Sequence, residues 1–270
     1  MNQPTDQQPS SISTAQLQKK LWLYTNYDCN LRCAYCVAES SPLAPRRALD
    51  LETVKQLVNE AVALGFEAIF FTGGEPMLLD DIYAMLDYSA RRVNTTLLTN
   101  GLLLHGRRLE RLNAVRRERL RVQVSLDGSQ PEYHDPNRGA GTWAKTVEGI
   151  HNLQAGGFRV SLSTTETPAN TKHLDELCDF HLALGIPEED HLIRPLARHG
   201  FSKEGLQIGK NTLAPEITVN QDGVYWHPLS TSTDMQVSNS IFPLADAVSR
   251  VLAELEAAQQ ANPEQRETFQ

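Results

Sequence analysis

Three of the four cysteines in this 270-residue chain fall within eight residues, Cys29-Asn30-Leu31-Arg32-Cys33-Ala34-Tyr35-Cys36. The C-x3-C-x2-C spacing follows an apolar run, Leu21-Trp22-Leu23-Tyr24, that reads as a short buried strand. A tight loop after a strand can turn three thiolates toward one point, and thiolates are the soft ligands that iron–sulfur clusters and zinc prefer. A structural zinc site calls for four ligands and a closed shell. The next cysteine is Cys178, however, and the nearest downstream histidine is His105. A cubane held by three cysteines leaves one iron with an open position, where a ligand can bind and be activated.

Further residues with chemical potential punctuate the chain at turns. Thr72-Gly73-Gly74-Glu75-Pro76 follows an apolar segment. Its glycines let the backbone approach a ligand closely, and Glu75 can accept a bond from an ammonium group. Alone, the turn is an ordinary strand-to-helix connection. Thr99-Asn100-Gly101 is equally a turn that tolerates positive φ. In Val124-Ser125-Leu126-Asp127-Gly128, period-two alternation puts Ser125 and Asp127 on one face, and Asp127 also suits a turn-setting role. Arg138, in His134-Asp135-Pro136-Asn137-Arg138-Gly139, offers a fork able to bond both oxygens of a carboxylate, or else a solvated surface charge.

Taken together, these motifs resemble the radical S-adenosylmethionine (radical SAM) superfamily, whose signature is C-x3-C-x2-C with an aromatic residue, here Tyr35, just before the last cysteine. The resemblance implies one 4Fe-4S cluster on Cys29, Cys33 and Cys36, with S-adenosylmethionine chelating the open iron. It implies reductive cleavage of that cofactor and hydrogen abstraction from a peptide or small-molecule substrate, with electrons from a reductant such as flavodoxin or ferredoxin. Gly73, Gly74, Glu75 and Pro76 match the family's GGEP turn, which holds the cofactor's amine. Asn100 matches its TNG ending, Ser125 and Asp127 its SLDG segment, and Arg138 an arginine that pairs with the cofactor carboxylate. The alternative is a non-catalytic iron–sulfur or zinc protein, an electron carrier or metal-dependent partner on a barrel scaffold. No residue stands out as a hydrogen donor, and the reaction outcome is not legible.

The elements that position these residues alternate between strand and helix. Strands are expected at Leu21–Tyr27, Ala68–Phe71, Thr95–Thr99, Leu120–Leu126, Arg159–Thr165 and His191–Leu196. Helical periodicity marks Leu51–Leu64 behind an Asp50 N-cap, Ile82–Ala90, Thr142–Ala155 and Thr171–Leu184. Six βα repeats predict an α/β fold, a partial (β/α)6 TIM-like barrel with chemistry at the carboxyl ends of its strands. Cys178 lies at an apolar-spaced position in its helix and reads as core. Arg194, at the end of strand six, suits either an anionic substrate group or a rim salt bridge. Seven arginines between Arg107 and Arg121 are interleaved with leucines and glutamates, which reads as a solvated helix face rather than an RNA groove.

The expected organisation is a tail over 1–18, the barrel core over 19–198, a hairpin and helix extension over 199–257, and a second tail over 258–270. In the extension, Glu216–Val219 and Val224–Trp226 flank Asn220-Gln221-Asp222-Gly223, a hairpin signal. It resembles the degenerate opening of a SPASM or twitch module, but Trp226-His227-Pro228 stands where those modules carry a cysteine, so a single cluster is expected. The final helix is expected over Ser240–Ala257, closing the barrel's open side. With 40% hydrophobic residues the chain can bury about 70–75% of its unfolded surface. A net charge of −8 argues against broad attraction to nucleic acid. No run approaches the roughly 18 apolar residues of a membrane span, and the polar first residues lack a signal-peptide core. Clustered thiols then point to the cytoplasm.

Overall fold

The computed structural model describes residues 17–261, so 1–16 and 262–270 of the two expected tails lie outside the described residues. The apolar segments become six strands, β1 (Lys20–Asn26), β2 (Ala68–Gly73), β3 (Asn94–Thr99), β4 (Leu120–Ser125), β5 (Arg159–Glu166) and β6 (His191–Pro195). Between them lie α1 (Leu51–Ala63), α2 (Ile82–Ala90), α3 (Gly106–Asn113), α4 (Pro131–Arg138), α5 (Thr142–Ala155) and α6 (Leu174–Ala183). Each strand pairs in parallel with the next in chain order. This is the expected mixed α/β, partial-barrel architecture, and its sheet does not close.

The reasons are local first. Asp50 caps α1 by accepting from Thr53 N at 2.8 Å, and Val54, Leu57, Val58 and Ala61 form its buried stripe. Gly65, at φ +82°, ends the element. One face of the sheet is mainly apolar, with Thr95 and Thr99 among its buried residues: Leu21, Leu23, Ile69, Phe71, Leu97, Val122, Val124 and Leu162 have no exposed surface and form part of one core cluster with the helices. The register places Thr96, Gln123, Ser125, Ser161, Ser163 and Thr165 on the opposite, inner face. A sheet packed on both sides would be apolar on both. Here the inner face is polar from β3 onward because it surrounds cavities rather than a packed core.

The C-terminal extension adds β7 (Thr218–Asn220), β8 (Gly223–Tyr225), β9 (Gln236–Ser238) and α7 (Leu244–Ala261). The expected hairpin forms as β7–β8. It attaches in parallel to β1, giving the sheet order β6-β5-β4-β3-β2-β1-β7-β8-β9. The expectation that the final helix closes the barrel is corrected: α7 lies against α1 and β9, on the outer layer. Leu244 N donates to Glu60 Oε2 at 2.6 Å, and Leu244, Ala247, Val248 and Val251 are buried there. The apolar stripe of α7 finds its partner beside another helix, and the polar cavity offers it none. The arginines of the basic run are dispersed among separate partners, with Arg111 bonding Asp80, Arg119 bonding the Arg92 carbonyl and Arg121 bonding Asp190.

Trp226, at the place where a ligand cysteine is missing, is core: it is 3% exposed and its Nε1 donates to Leu213 O at 2.8 Å. Trp226→Ala is expected to cost about 3–5 kcal/mol of folding stability in chemical denaturation. Trp226→Phe should recover most of that loss.

Candidate functional site

The cysteine loop is held on three sides. Its start is fixed by the Gly73-Gly74 turn, where Gly74 N donates to Asn26 O at 2.8 Å and Glu75 N to Asp28 O at 3.0 Å. Asn26 Nδ2 returns a bond to Glu75 O at 3.0 Å. A methyl group on Gly73 would run into the Asn26 carbonyl, and one on Gly74 into that of Asp28. The glycines thus serve a close approach between two backbones, and Gly73 at φ +128° also needs its conformational freedom. On the second side, Ala34 N donates to Asn137 O at 2.8 Å, tying the loop to α4. On the third, the segment after β6 crosses the loop. Phe201 N bonds Cys36 O at 3.1 Å, Arg32 stacks its guanidinium 4.2 Å from the Phe201 ring, and Gly200 (φ +61°) lies against Cys36 too tightly for any side chain.

Cys29, Cys33 and Cys36 are free thiols that line one cavity of about 200 Å³ at the carboxyl ends of the strands. Its wall continues through Gly74, Asn100 and Ser125, then Ser163 and Thr165 of β5 and Arg194 of β6, with Tyr35, Arg138 and Leu229 at other points. A larger cleft of about 390 Å³ sits at the amino ends of the strands, lined by Thr96, Arg121 and Ser161 among others, and holds no thiol. The chemistry therefore belongs to the smaller space.

The sulfurs are provisioned for charge. Leu31 N points at Cys29 Sγ at 3.4 Å, Ser40 N at Cys36 Sγ at 3.4 Å, and Asn100 Nδ2 at Cys29 Sγ at 3.8 Å. Donors aimed at sulfur favour thiolates and tune bound iron. Burial, with Glu75 next, pushes the Cys29 thiol up to about 12, and burial also raises Cys33. A cation beside Cys29 and Cys33 would offset that cost and favour their thiolates. Among the described residues, the trio with ligand atoms gathered within 4.8 Å lies elsewhere, at Cys178, His181 and His191. The three loop sulfurs are not gathered that closely. Ser40, 2% exposed on the same wall, has a hydroxyl without a hydrogen-bond partner. The donor set and this orphaned atom fit an iron–sulfur cluster with a polar ligand beside it.

The two acids singled out from the sequence face away from the cavity. Glu75 has no exposed surface; its carboxylate accepts from Met77 N at 3.0 Å, Thr99 Oγ1 at 2.8 Å and Asn100 N at 2.8 Å. Burial pushes it up to about 7 despite those three bonds. In this arrangement the Glu75 carboxylate locks the β2 turn to the end of β3. Pro76 is buried with it. Asp127 is likewise sealed. It pairs with Arg138 (Nε to Oδ2 2.6 Å), receives the Tyr35 hydroxyl, and accepts from Thr165 N at 3.0 Å. Burial alone would raise its carboxyl, yet Arg138 and these hydrogen bonds hold it below the ordinary carboxylate value. Asn100 is where the sequence reading puts it, with its amide also on Asn30 Oδ1 at 2.8 Å. Arg138 reaches the cavity wall while tethered to Asp127, an orientation that sequence reading leaves open. What sequence reading missed is Leu229, which follows β8, and Ser40; neither carries a motif.

His134 closes the network from behind. It is fully buried, its Nδ1 accepts from Asp127 N at 3.1 Å, and burial followed by the Arg138 charge holds it down to about 4. His227 is held down to about 4 by burial and the charges of Arg194 and Lys20.

Comparison with known proteins gives the same picture. The radical SAM superfamily model matches residues 23–180, over half of the chain, and the chain belongs to that superfamily. Its members use a 4Fe-4S cluster and S-adenosylmethionine. The AdoMet-dependent heme synthase of Methanosarcina barkeri is 30% identical over 159 residues, covering 58% of this chain and 45% of that protein. The mycofactocin maturase MftC of Mycobacterium tuberculosis is 31% identical over 174 residues, covering 64% and 44% respectively. This chain thus spans about half the length of the curated relatives it matches. Among solved structures, anSMEcpe with bound AdoMet superposes with a TM-score of 0.68 at 15% identity, over 87% of this chain and 82% of that one. SuiB of Streptococcus suis bound to the precursor peptide SuiA gives 0.59 at 19% identity, over 73% and 44%. At those identities the likeness is one of fold.

Two outcomes are expected. Gly74→Ala should destabilise the protein by about 1–3 kcal/mol in thermal or chemical melts, since a backbone carbonyl must move. Acid should act early. His134 and His227 bind protons near 6.5 when unfolded and near 4 when folded, so the unfolded state holds more protons between those values. His191, also held down to about 4, acts in the same direction, while Glu75, raised to about 7, opposes them as one group against three, so stability is expected to fall as pH drops through that window. A thermal midpoint unchanged from pH 7 to pH 5 would contradict this.

Proposed function

We propose that this chain is a radical SAM enzyme that cleaves S-adenosylmethionine at a 4Fe-4S cluster on Cys29, Cys33 and Cys36 and takes a hydrogen atom from a peptide substrate. The observation that carries the reading is the cavity itself: three sulfurs with N–H donors aimed at two of them share one wall with Gly74, Asn100, Ser125, Arg138 and Arg194. When bound, the cluster and cofactor supply one-electron cleavage of a sulfonium, with the electron from a flavodoxin- or ferredoxin-type donor, and a carbon radical that abstracts hydrogen.

The chain's own residues bind and orient. Both nearby acids are turned inward and engaged, so the charges facing the cavity are the guanidiniums of Arg138 and Arg194. Arg138, fixed by Asp127, is placed for a cofactor carboxylate, and the Ser125, Ser163 and Thr165 side chains on the inner face suit ribose or backbone polar groups. Arg194, at the far strand end and 6.0 Å from the Trp22 ring, suits an anionic group of the substrate. Leu229 and the residues after β8 add an apolar patch on the β1 side, and Tyr24 anchors that segment through the Pro228 carbonyl. The peptide class is supported by relatives: SuiB is solved with a precursor peptide, and MftC is named a maturase.

The test is anaerobic reconstitution, chemical reduction and chromatography for 5′-deoxyadenosine. The wild-type chain is expected to release it, and Cys33→Ala to lose both release and bound iron while keeping its far-ultraviolet circular dichroism. Undiminished release from Cys33→Ala would overturn the ligand assignment. Deuterium from a perdeuterated peptide pool should appear in the 5′-deoxyadenosine; its appearance only with small metabolites would overturn the peptide class.

A further inference from the structure

Cys178 does not behave as the core residue its spacing suggests. The inward face of α6 carries Leu177 and His181, while Cys178 is half-buried and Leu182 is exposed. Cys178 and His181 stand three residues apart, neighbours on one helical face. Gly185, at φ +75°, then reverses the chain, and His191 opens β6. The potential ligand atoms of Cys178, His181 and His191 all lie within 4.8 Å of one another.

The hydrogen bonds around the two imidazoles decide which nitrogens are free. His181 Nδ1 lies 2.8 Å from Ile186 O. A carbonyl only accepts, so Nδ1 carries the hydrogen and Nε2 keeps a lone pair. That Nε2 is buried, in a residue 1% exposed, and has no hydrogen-bond partner. His191 Nε2 lies 2.7 Å from Thr164 Oγ1, whose own hydrogen is directed to Leu126 O at 2.6 Å. The Thr164 oxygen therefore accepts, His191 Nε2 donates, and Nδ1 keeps its lone pair. Each ring is held by its back nitrogen on an oxygen acceptor, the arrangement by which metal-binding imidazoles are oriented and their tautomers fixed. The two rings meet edge to face with centroids 4.5 Å apart, which as mere packing would leave His181 Nε2 stranded.

We propose that Cys178, His181 and His191 bind one zinc ion, separate from the cysteine loop, with water completing a tetrahedron on the side where Cys178 meets solvent. One thiolate and two neutral imidazoles match the nitrogen and sulfur preference of zinc, and three protein ligands leave a fourth position open. Asp175, Glu188 and Asp179 lie around Cys178 and favour a cation's approach. The site joins α6 to the start of β6, the opposite end of that strand from Arg194 and Pro195, which line the cysteine cavity. A zinc ion there fixes the last βα unit, and with it the wall on which Arg194 stands.

The test uses the cluster-reconstituted full chain. Zinc is expected to shield Cys178 from iodoacetamide in peptide mass mapping, and Co2+ in its place should give the intense visible bands of a tetrahedral thiolate site. Cys178→Ser should weaken zinc binding by more than the roughly 10–100-fold that follows loss of an outer partner, and Thr164→Val should fall within that range. Iron content should be unchanged in both. Equal alkylation of Cys178 with and without zinc would overturn the proposal without recourse to any variant. So would equal zinc affinity in wild type and a folded Cys178→Ser.

Discussion

The Asp127 carboxylate is the point at which the cavity's walls are joined. It is anchored at the end of β4 and reaches α4 through Arg138, the cysteine loop through the Tyr35 hydroxyl, and β5 through Thr165 N. The Asp127 carbonyl, held by Asn170 Nδ2 at 2.8 Å, adds the segment after β5. A buried ion pair is no reliable source of net stability, because desolvation offsets most of the attraction. Its consequence is geometric. With both partners almost wholly out of water, removing either one would strand a charge, so loop, helix and strands keep one relative placement. The guanidinium that lines the cavity is oriented by a side chain that never touches it.

Glu75 repeats the device on the other side. Its three internal bonds clamp the Gly-Gly turn to the last residues of β3. The effect on the cavity's electrostatics follows from both acids being turned inward. Negative charge is withdrawn from the walls, while the cysteines supply it where iron would neutralise it. The charged side chains left on the walls are Arg138, already paired with Asp127, and Arg194, which feels the Glu216 carboxylate.

The order of strands and the limits of α1, α2 and α5 are readable from apolar periodicity and glycine stops, since these are local properties, whereas α3 and α4 carry too few apolar residues to show. The cysteine loop and the Gly-Gly turn were readable because their spacing is contiguous. Contacts between distant residues were not. Asp127 and Arg138 were each noticed, but their mutual pairing depends on α4, whose Pro136 argues against a helix in sequence terms. Glu75 was read by what a carboxylate can accept, and only the fold shows three internal donors reaching it first. The apolar stripe of the final helix does not say which surface it covers, and only the fold shows that α1 and β9 are its partners. Apolar spacing along α6 predicts core for Cys178, and it does not reveal the half-burial of that thiol or the histidine that arrives beside it from β6.

The crossing of the cysteine loop by Gly200 and Phe201 has a bearing on biogenesis. The thiols are made early in synthesis, but the residues that brace Cys36 and Arg32 emerge only after all six strands. Contacts so remote along the chain form late in folding. Until the sixth strand is in place the three sulfurs sit on a loop held from only two sides, by the Gly73-Gly74 turn and by Asn137 of α4, so the last-made third of the barrel is what fixes the end of the loop that carries Cys36.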